Sequence, residues 1–111
     1  MKAWITQLRK GLLELLLLNV LAQGESYGYE IVRRLCRTDG LEIGESTLYP
    51  ALERLRKDGY VSVRRAPSPT GPVRRYYSLT RLGQGRVRRM NSYWDGLNEA
   101  IAGLRGLQEG G

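Results

Sequence analysis

Between Leu8 and Gln23 the chain reads LRKGLLELLLLNVLAQ, a stretch of helical length that is apolar almost all the way round. A helix without a wide polar face has to be packed on several sides. That demand is severe for 111 residues, which bury one modest core and little more, so the rest of the chain must be arranged around this segment. Glu14 and Asn19 interrupt the apolar run, and it is shorter than the about 20 residues that span a bilayer. Lys2, Arg9 and Lys10 before the apolar run Leu12 to Ala22 therefore belong with a buried helix of a cytoplasmic protein rather than a signal peptide or an anchor, and no membrane partner is expected.

The residues missing from the chain exclude much chemistry. There is no histidine, which removes the ordinary general base near neutral pH and the commonest metal ligand. Cys36 is the single cysteine, so no internal disulfide forms, in keeping with a reducing compartment. An enzyme would have to draw nucleophile, acid and base from Ser46, Tyr49, Glu53 and Asp58, a poor set for proton transfer. No catalytic residue, metal or cofactor is expected.

After Gly24, a helix stop, Ser26 is placed to cap a second helix reaching about Arg37, with Ile31, Val32 and Leu35 inward and Cys36 filling space beside them. Asp39 and Gly40 make a turn before Leu41 and Ile43. A third helix follows in ESTLYPALERLRKDGY. Proline lacks an amide hydrogen and suits the first turn, so Pro50 places the cap near Ser46 or Thr47, within two residues. Leu48, Ala51, Leu52 and Leu55 share one face, which leaves Thr47, Pro50, Arg54, Arg56 and Lys57 off the core.

Tyr60 to Ala66 and Val73 to Leu79 alternate at period two around PSPTGP, as a hairpin with a stiff tip does. Val61, Val63, Val73, Tyr77 and Leu79 are expected inward, with Arg64 and Arg74 outward. Thr80 then caps a last helix to about Leu107. In it Val87, Met90, Trp94, Leu97, Ile101 and Leu104 recur at spacings of three and four, a coiled-coil-like seam that calls for a second copy of the chain. The alternative is a helix folded back on its own monomer. Gly83, Gly85, Gly96, Gly103 and Gly106 weaken it intrinsically, so docking has to stabilise it.

Charge adds the partner. Between Arg54 and Arg89 there are eleven lysines and arginines against one acid, a net +10, whereas the remainder has seven basic and ten acidic residues. Short helices followed by a basic hairpin make a winged helix-turn-helix, mostly α with a small β-hairpin, in which one helix enters the major groove of double-stranded DNA and the wing follows the backbone. The candidate DNA contacts are Ser46, Thr47, Tyr49, Pro50 and Arg54 on the third helix and Arg64, Arg65, Thr70, Arg74 and Arg75 on the wing. Capping competes with DNA contact at Ser46 and Thr47, and core packing competes with it at Tyr49. The organisation is then 1–79 for DNA binding, 80–107 for a dimerisation helix and 108–111 for a flexible tail.

Three stretches, GLLELLLLNVLAQGESYGYEIVRRL, LEIGESTLYPALERLRKDGYV and GPVRRYYSLTRLGQ, resemble the PadR-like transcriptional regulators, specifically the compact subgroup with one C-terminal helix. The resemblance implies a bacterial or archaeal homodimer whose C-terminal helix packs near the partner's first helix, in a family whose members often act as repressors; the two-fold symmetry of such a dimer calls for an inverted-repeat operator. It also implies, for some members, a flat aromatic effector between subunits, for which Trp94 is the candidate here beside its plainer role in the dimer core. A different function class, a winged-helix adaptor that binds protein and not DNA, leaves the arginine-rich wing unexplained.

Overall fold

The computed structural model describes residues 1–37 and 43–110, with side chains to 106. Four helices, α1 (Lys2–Ala22), α2 (Gly28–Cys36), α3 (Glu45–Lys57) and α4 (Arg81–Gly110), surround three strands, β1 (Ser26–Tyr27), β2 (Val61–Pro67) and β3 (Val73–Leu79). The strands form an antiparallel sheet in the order β1-β3-β2, with Val61 opposite Leu79, Val63 opposite Tyr77 and Ser26 also opposite Tyr77. This is the winged-helix arrangement expected from the sequence.

The core lies where the C-terminal half of α1 meets α2, α3 and the sheet. Leu17, Leu18, Ile31, Leu48 and Leu52 are completely buried, and Leu21, Leu35, Leu55, Val61, Tyr77 and Val87 complete the cluster. The α3 face predicted from Leu48, Ala51, Leu52 and Leu55 is the buried one. The N-terminal half of α1 is different. Trp4 is 61 % exposed and Leu8 39 % exposed, so within one chain the apolar helix is packed on all sides only along its second half.

Several expectations change in detail. α1 starts at Lys2, not Leu8. Ser26 does not cap α2; it is buried in β1, and Tyr27 occupies the cap position without a side-chain bond. A two-residue strand carries no readable alternation, which is why it is missed. α3 begins at Glu45 after Gly44, so Pro50 stands in its second turn. Cys36 is exposed, its thiol 3.8 Å from the Ile43 carbonyl, because the buried stripe of α2 runs through Ile31 and Leu35. Val73 is 65 % exposed, since the hairpin extends past the core before its strands turn. The turn expected at Asp39 and Gly40, and Leu41 after it, lie outside the described residues.

Thr80 does cap α4. Its Oγ1 accepts the Gly83 N–H at 3.0 Å and donates to the Gly59 carbonyl at 2.6 Å, joining the end of α3 to the start of α4. Gly83 is not merely a weak helix former. A Cβ there would lie 2.0 Å from the Tyr60 carbonyl oxygen, so only glycine permits this approach. Residues 108–110 continue α4 instead of forming a tail. The molecule measures 62 × 30 × 21 Å with a radius of gyration of 16.5 Å. A compact chain of about 100 residues has a radius near 13 Å. The excess comes from α4, whose distal half leaves the body with Ile101 and Leu104 exposed.

Candidate nucleic-acid interface

Four buried residues define the inner side of α3 and thereby its outer side. At helical spacing Ser46, Pro50, Glu53 and Lys57 lie opposite the buried face, and all four are exposed. Thr47 and Arg54 flank them toward α1, lining a groove with Lys10 and Glu14. Tyr49 flanks them toward the wing. Gly44 precedes the helix, within the two-residue margin expected around Ser46, and among the described residues no hydrogen bond holds the Ser46 or Thr47 hydroxyl. The capping role that competed with a ligand-facing one is therefore not taken up by either residue.

Tyr49 has one foot in each of its two roles. Its ring lies so close to the start of α2 that a Cβ at Gly28 would sit 2.6 Å from it, yet the residue remains 37 % exposed. Partial burial, the Glu45 carboxylate and Tyr77 together push its hydroxyl above the ordinary tyrosine value, so it is a neutral donor. It forms the wall of a cleft shared with Tyr27, Tyr29, Arg74 and Arg75, between α2, α3 and the wing. Tyr29, 55 % exposed with Arg33 stacked over it at 5.9 Å, is a surface residue that sequence reasoning passed over. The signal was the Tyr-to-Arg spacing of four on one face of α2.

The four wing arginines occupy two faces. Arg65 is directly opposite Arg75, in line with Val63 and Tyr77 and so on the α3 side of the hairpin. Among the described residues neither makes a hydrogen bond or ion pair, although the charge of Arg75 reaches Glu53. Glu53 is held below the ordinary carboxylate range first by its bidentate bonds to Arg56, at 2.6 and 2.9 Å, and then by nearby positive charge including Arg75. Arg64 and Arg74 are on the other face. Arg64 makes a bidentate pair with Glu25 at 2.6 and 2.7 Å and lies over the Tyr76 ring, while Arg74 lies over Tyr27. The hairpin closes through the Ser68 N–H to the Pro72 carbonyl, and the Thr70 hydroxyl is bonded to Ser68 at the tip.

The α4 seam divides in the middle. Val87 is buried and Met90 packs on the core of its own chain, so the first part of the expected dimer seam is intramolecular. Trp94 is half-buried, and Leu97, Ile101 and Leu104 are exposed by 39, 45 and 63 %. α4 is fixed to α1 by a reciprocal amide pair between Asn19 and Asn91, both bonds 2.9 Å, and by Arg86 to Glu14 at 2.7 Å. Above these bonds α1 and α4 diverge into a groove of about 570 Å³ lined by Leu8, Leu12, Leu15, Arg89, Tyr93 and Trp94 among others.

Residues 17–89 match the model of the transcriptional regulator PadR-like family. A transcriptional regulator from Streptococcus superposes with a TM-score of 0.80 at 38 % identity, covering 89 % of this chain and 97 % of that one. A PadR-like transcriptional regulator from Bacillus cereus gives 0.81 at 30 % identity over 88 % and 95 % of the two chains. A PadR-family transcriptional regulator from Eggerthella lenta gives 0.81 at 29 % identity over 93 % and 89 %. No helix among the described residues is long and apolar enough to cross a membrane.

Proposed function

We propose, from the premise that this chain belongs to the PadR-like transcriptional regulator family, that it is a sequence-specific repressor binding an inverted-repeat operator as a homodimer. One observation carries this: the exposed face of α3, with Ser46, Thr47 and Pro50 near its start, lies beside a hairpin whose Arg65 and Arg75 are on the same side. A helix entering the major groove needs small or hydrogen-bonding groups near its N-terminal end, and a neighbouring positive surface fixes it on the phosphates. Arg54 and Lys57 add charge at the rim of the helix. The adaptor alternative has no comparable use for this juxtaposition.

The dimer follows from what one chain leaves uncovered. Trp4 and Leu8 of α1 and Leu97, Ile101 and Leu104 of α4 form apolar surface beyond the body of the domain. A two-fold partner laying its α4 against α1 covers both sets at once and presents two copies of α3 in the symmetry of an inverted repeat. The protein acts in the cytoplasm on this account, where its DNA is. A planar aromatic effector fits the α1–α4 groove, where Trp94 and Tyr93 supply ring surface and Arg89 a cation. Fluorescence titration with planar dyes tests it in a variant lacking Trp4; an unchanged Trp94 signal removes the effector role for those compounds.

The experiment for the main function is a paired measurement on Thr47→Ala and Ser46→Ala. We expect unchanged melting temperature, because neither hydroxyl caps the helix, together with weaker discrimination at one base position, worth about 1 to 3 kcal/mol. Equal binding of all sequences by wild type and variants refutes base readout by α3.

A further inference from the structure

The outer face of the wing carries a continuous ladder that a phosphate-binding surface does not need. Arg74 stacks over Tyr27 at 4.2 Å, Tyr27 meets Tyr76 edge to face at 5.9 Å, Arg64 stacks over Tyr76 at 4.7 Å, and Arg64 ends in the bidentate pair with Glu25. Its members come from two places far apart in the chain. Glu25 and Tyr27 belong to the short connection between α1 and α2, and the other three to the hairpin. The ladder ties the wing to the body along β1, whose backbone contributes only two residue pairs.

We infer that the four wing arginines divide into two functional pairs: Arg65 and Arg75 contact phosphate, whereas Arg64 and Arg74 are positioning residues that set the angle of the wing, with Glu25 as the determinant. The DNA-binding role proposed above is the ground this rests on. Electrostatics and geometry agree. A carboxylate held below its ordinary range by its bidentate bonds to Arg64 offsets that arginine's charge locally, so Arg64 adds little to phosphate attraction while paired. Arg65 and Arg75 face each other across the ladder, with no carboxylate bonded to either among the described residues; two guanidiniums in a cross-strand pair repel and gain from an anion between them.

Val61, Tyr77 and Leu79 pin the base of the hairpin in the core and the two β1 pairs end at Tyr76, so the angle of the part beyond, which carries Arg65 and Arg75, is left to its side chains. Its angle decides whether Arg65 and Arg75 meet the backbone while α3 is in the groove. The Glu25–Arg64 end of the ladder achieves this from outside the cleft that Tyr27, Tyr49, Arg74 and Arg75 share. Glu25 thereby acts on specificity through position, not contact.

The test measures the salt dependence of binding to non-specific duplex for the full chain and for Arg64→Ala, Arg65→Ala, Arg75→Ala, Glu25→Gln and the Glu25→Gln/Arg64→Ala double variant. Each lost phosphate contact lowers the slope of log K against log salt by about 0.9. On this duplex α3 is not held at a fixed seat in the groove and the wing can turn to the backbone without its tether, so we expect that loss for Arg65→Ala and Arg75→Ala and no change for Arg64→Ala, whereas on a selected operator Arg64→Ala and Glu25→Gln should weaken binding as well. Glu25→Gln frees a cation, so its slope should steepen by up to about 0.9, and the added Arg64→Ala should return it to the wild-type value. A flattened slope for Glu25→Gln overturns the view that Glu25 withholds the charge of Arg64 from phosphate. Equal losses at Arg64, Arg65 and Arg75 overturn the division while leaving DNA binding intact. A wild-type protein with no salt-dependent DNA binding overturns the function proposed above, and this division with it.

Discussion

Leu97→Glu separates the fold of the single chain from its assembly. Leu97 stays 39 % exposed in one chain, at the open rim of the α1–α4 groove, so the substitution leaves a carboxylate within reach of water when the protein is monomeric. Full burial of a leucine is worth about 1.5–3 kcal/mol, so covering the remaining fraction contributes about 0.6–1.2 kcal/mol per copy. Two-fold symmetry applies the loss twice, and burying a polar group at the same place adds about 1–3 kcal/mol per copy. The sum is about 3–8 kcal/mol, at least a 100-fold weaker dimer at about 1.4 kcal/mol per tenfold. Sedimentation equilibrium across a dilution series measures it, with far-UV circular dichroism to confirm that the helices persist. A wild type that is monomeric throughout, or a variant with an unchanged dissociation constant, refutes the interface.

Gly83→Ala should destabilise the chain by about 1–3 kcal/mol in urea unfolding, because the new methyl meets the Tyr60 carbonyl and both partners are backbone. Gly96→Ala, with nothing within 4 Å of the added atom, should instead stabilise it by up to about 1 kcal/mol, so equal effects at the two sites would contradict the close approach. Glu25 is held below its ordinary pKa by Arg64, so its pair stabilises the wing above the ordinary carboxylate range and is lost as pH falls through the lowered value. NMR titration should show a depressed midpoint for Glu25 that returns toward the ordinary value in Arg64→Gln.

The parts of this fold that repeat at a regular period were legible. Leu48, Ala51, Leu52 and Leu55 announce the inner face of α3, and the alternation of Val61, Val63, Tyr77 and Leu79 announces the hairpin. What was not legible depends on contacts between distant positions. Gly83 looks like a weak helix residue until Tyr60 is brought against it. Ser26 looks like a cap until Tyr77 pairs with it. The seam from Val87 to Leu104 has one period throughout, and only the position of α1 shows that its first two residues serve the monomer core. The wing arginines were found by charge, but their division into two faces with different neighbours requires Glu25, 39 residues earlier than Arg64.

Selection of bound sequences from a random duplex pool at near-physiological salt, followed by titration of the selected site, tests the regulator account most directly. The account predicts an inverted repeat bound by two copies of the chain, with an affinity at least about 10³-fold above that for a scrambled duplex. A pool that yields no preferred sequence, or a selected duplex bound no better than the scrambled one, would contradict it.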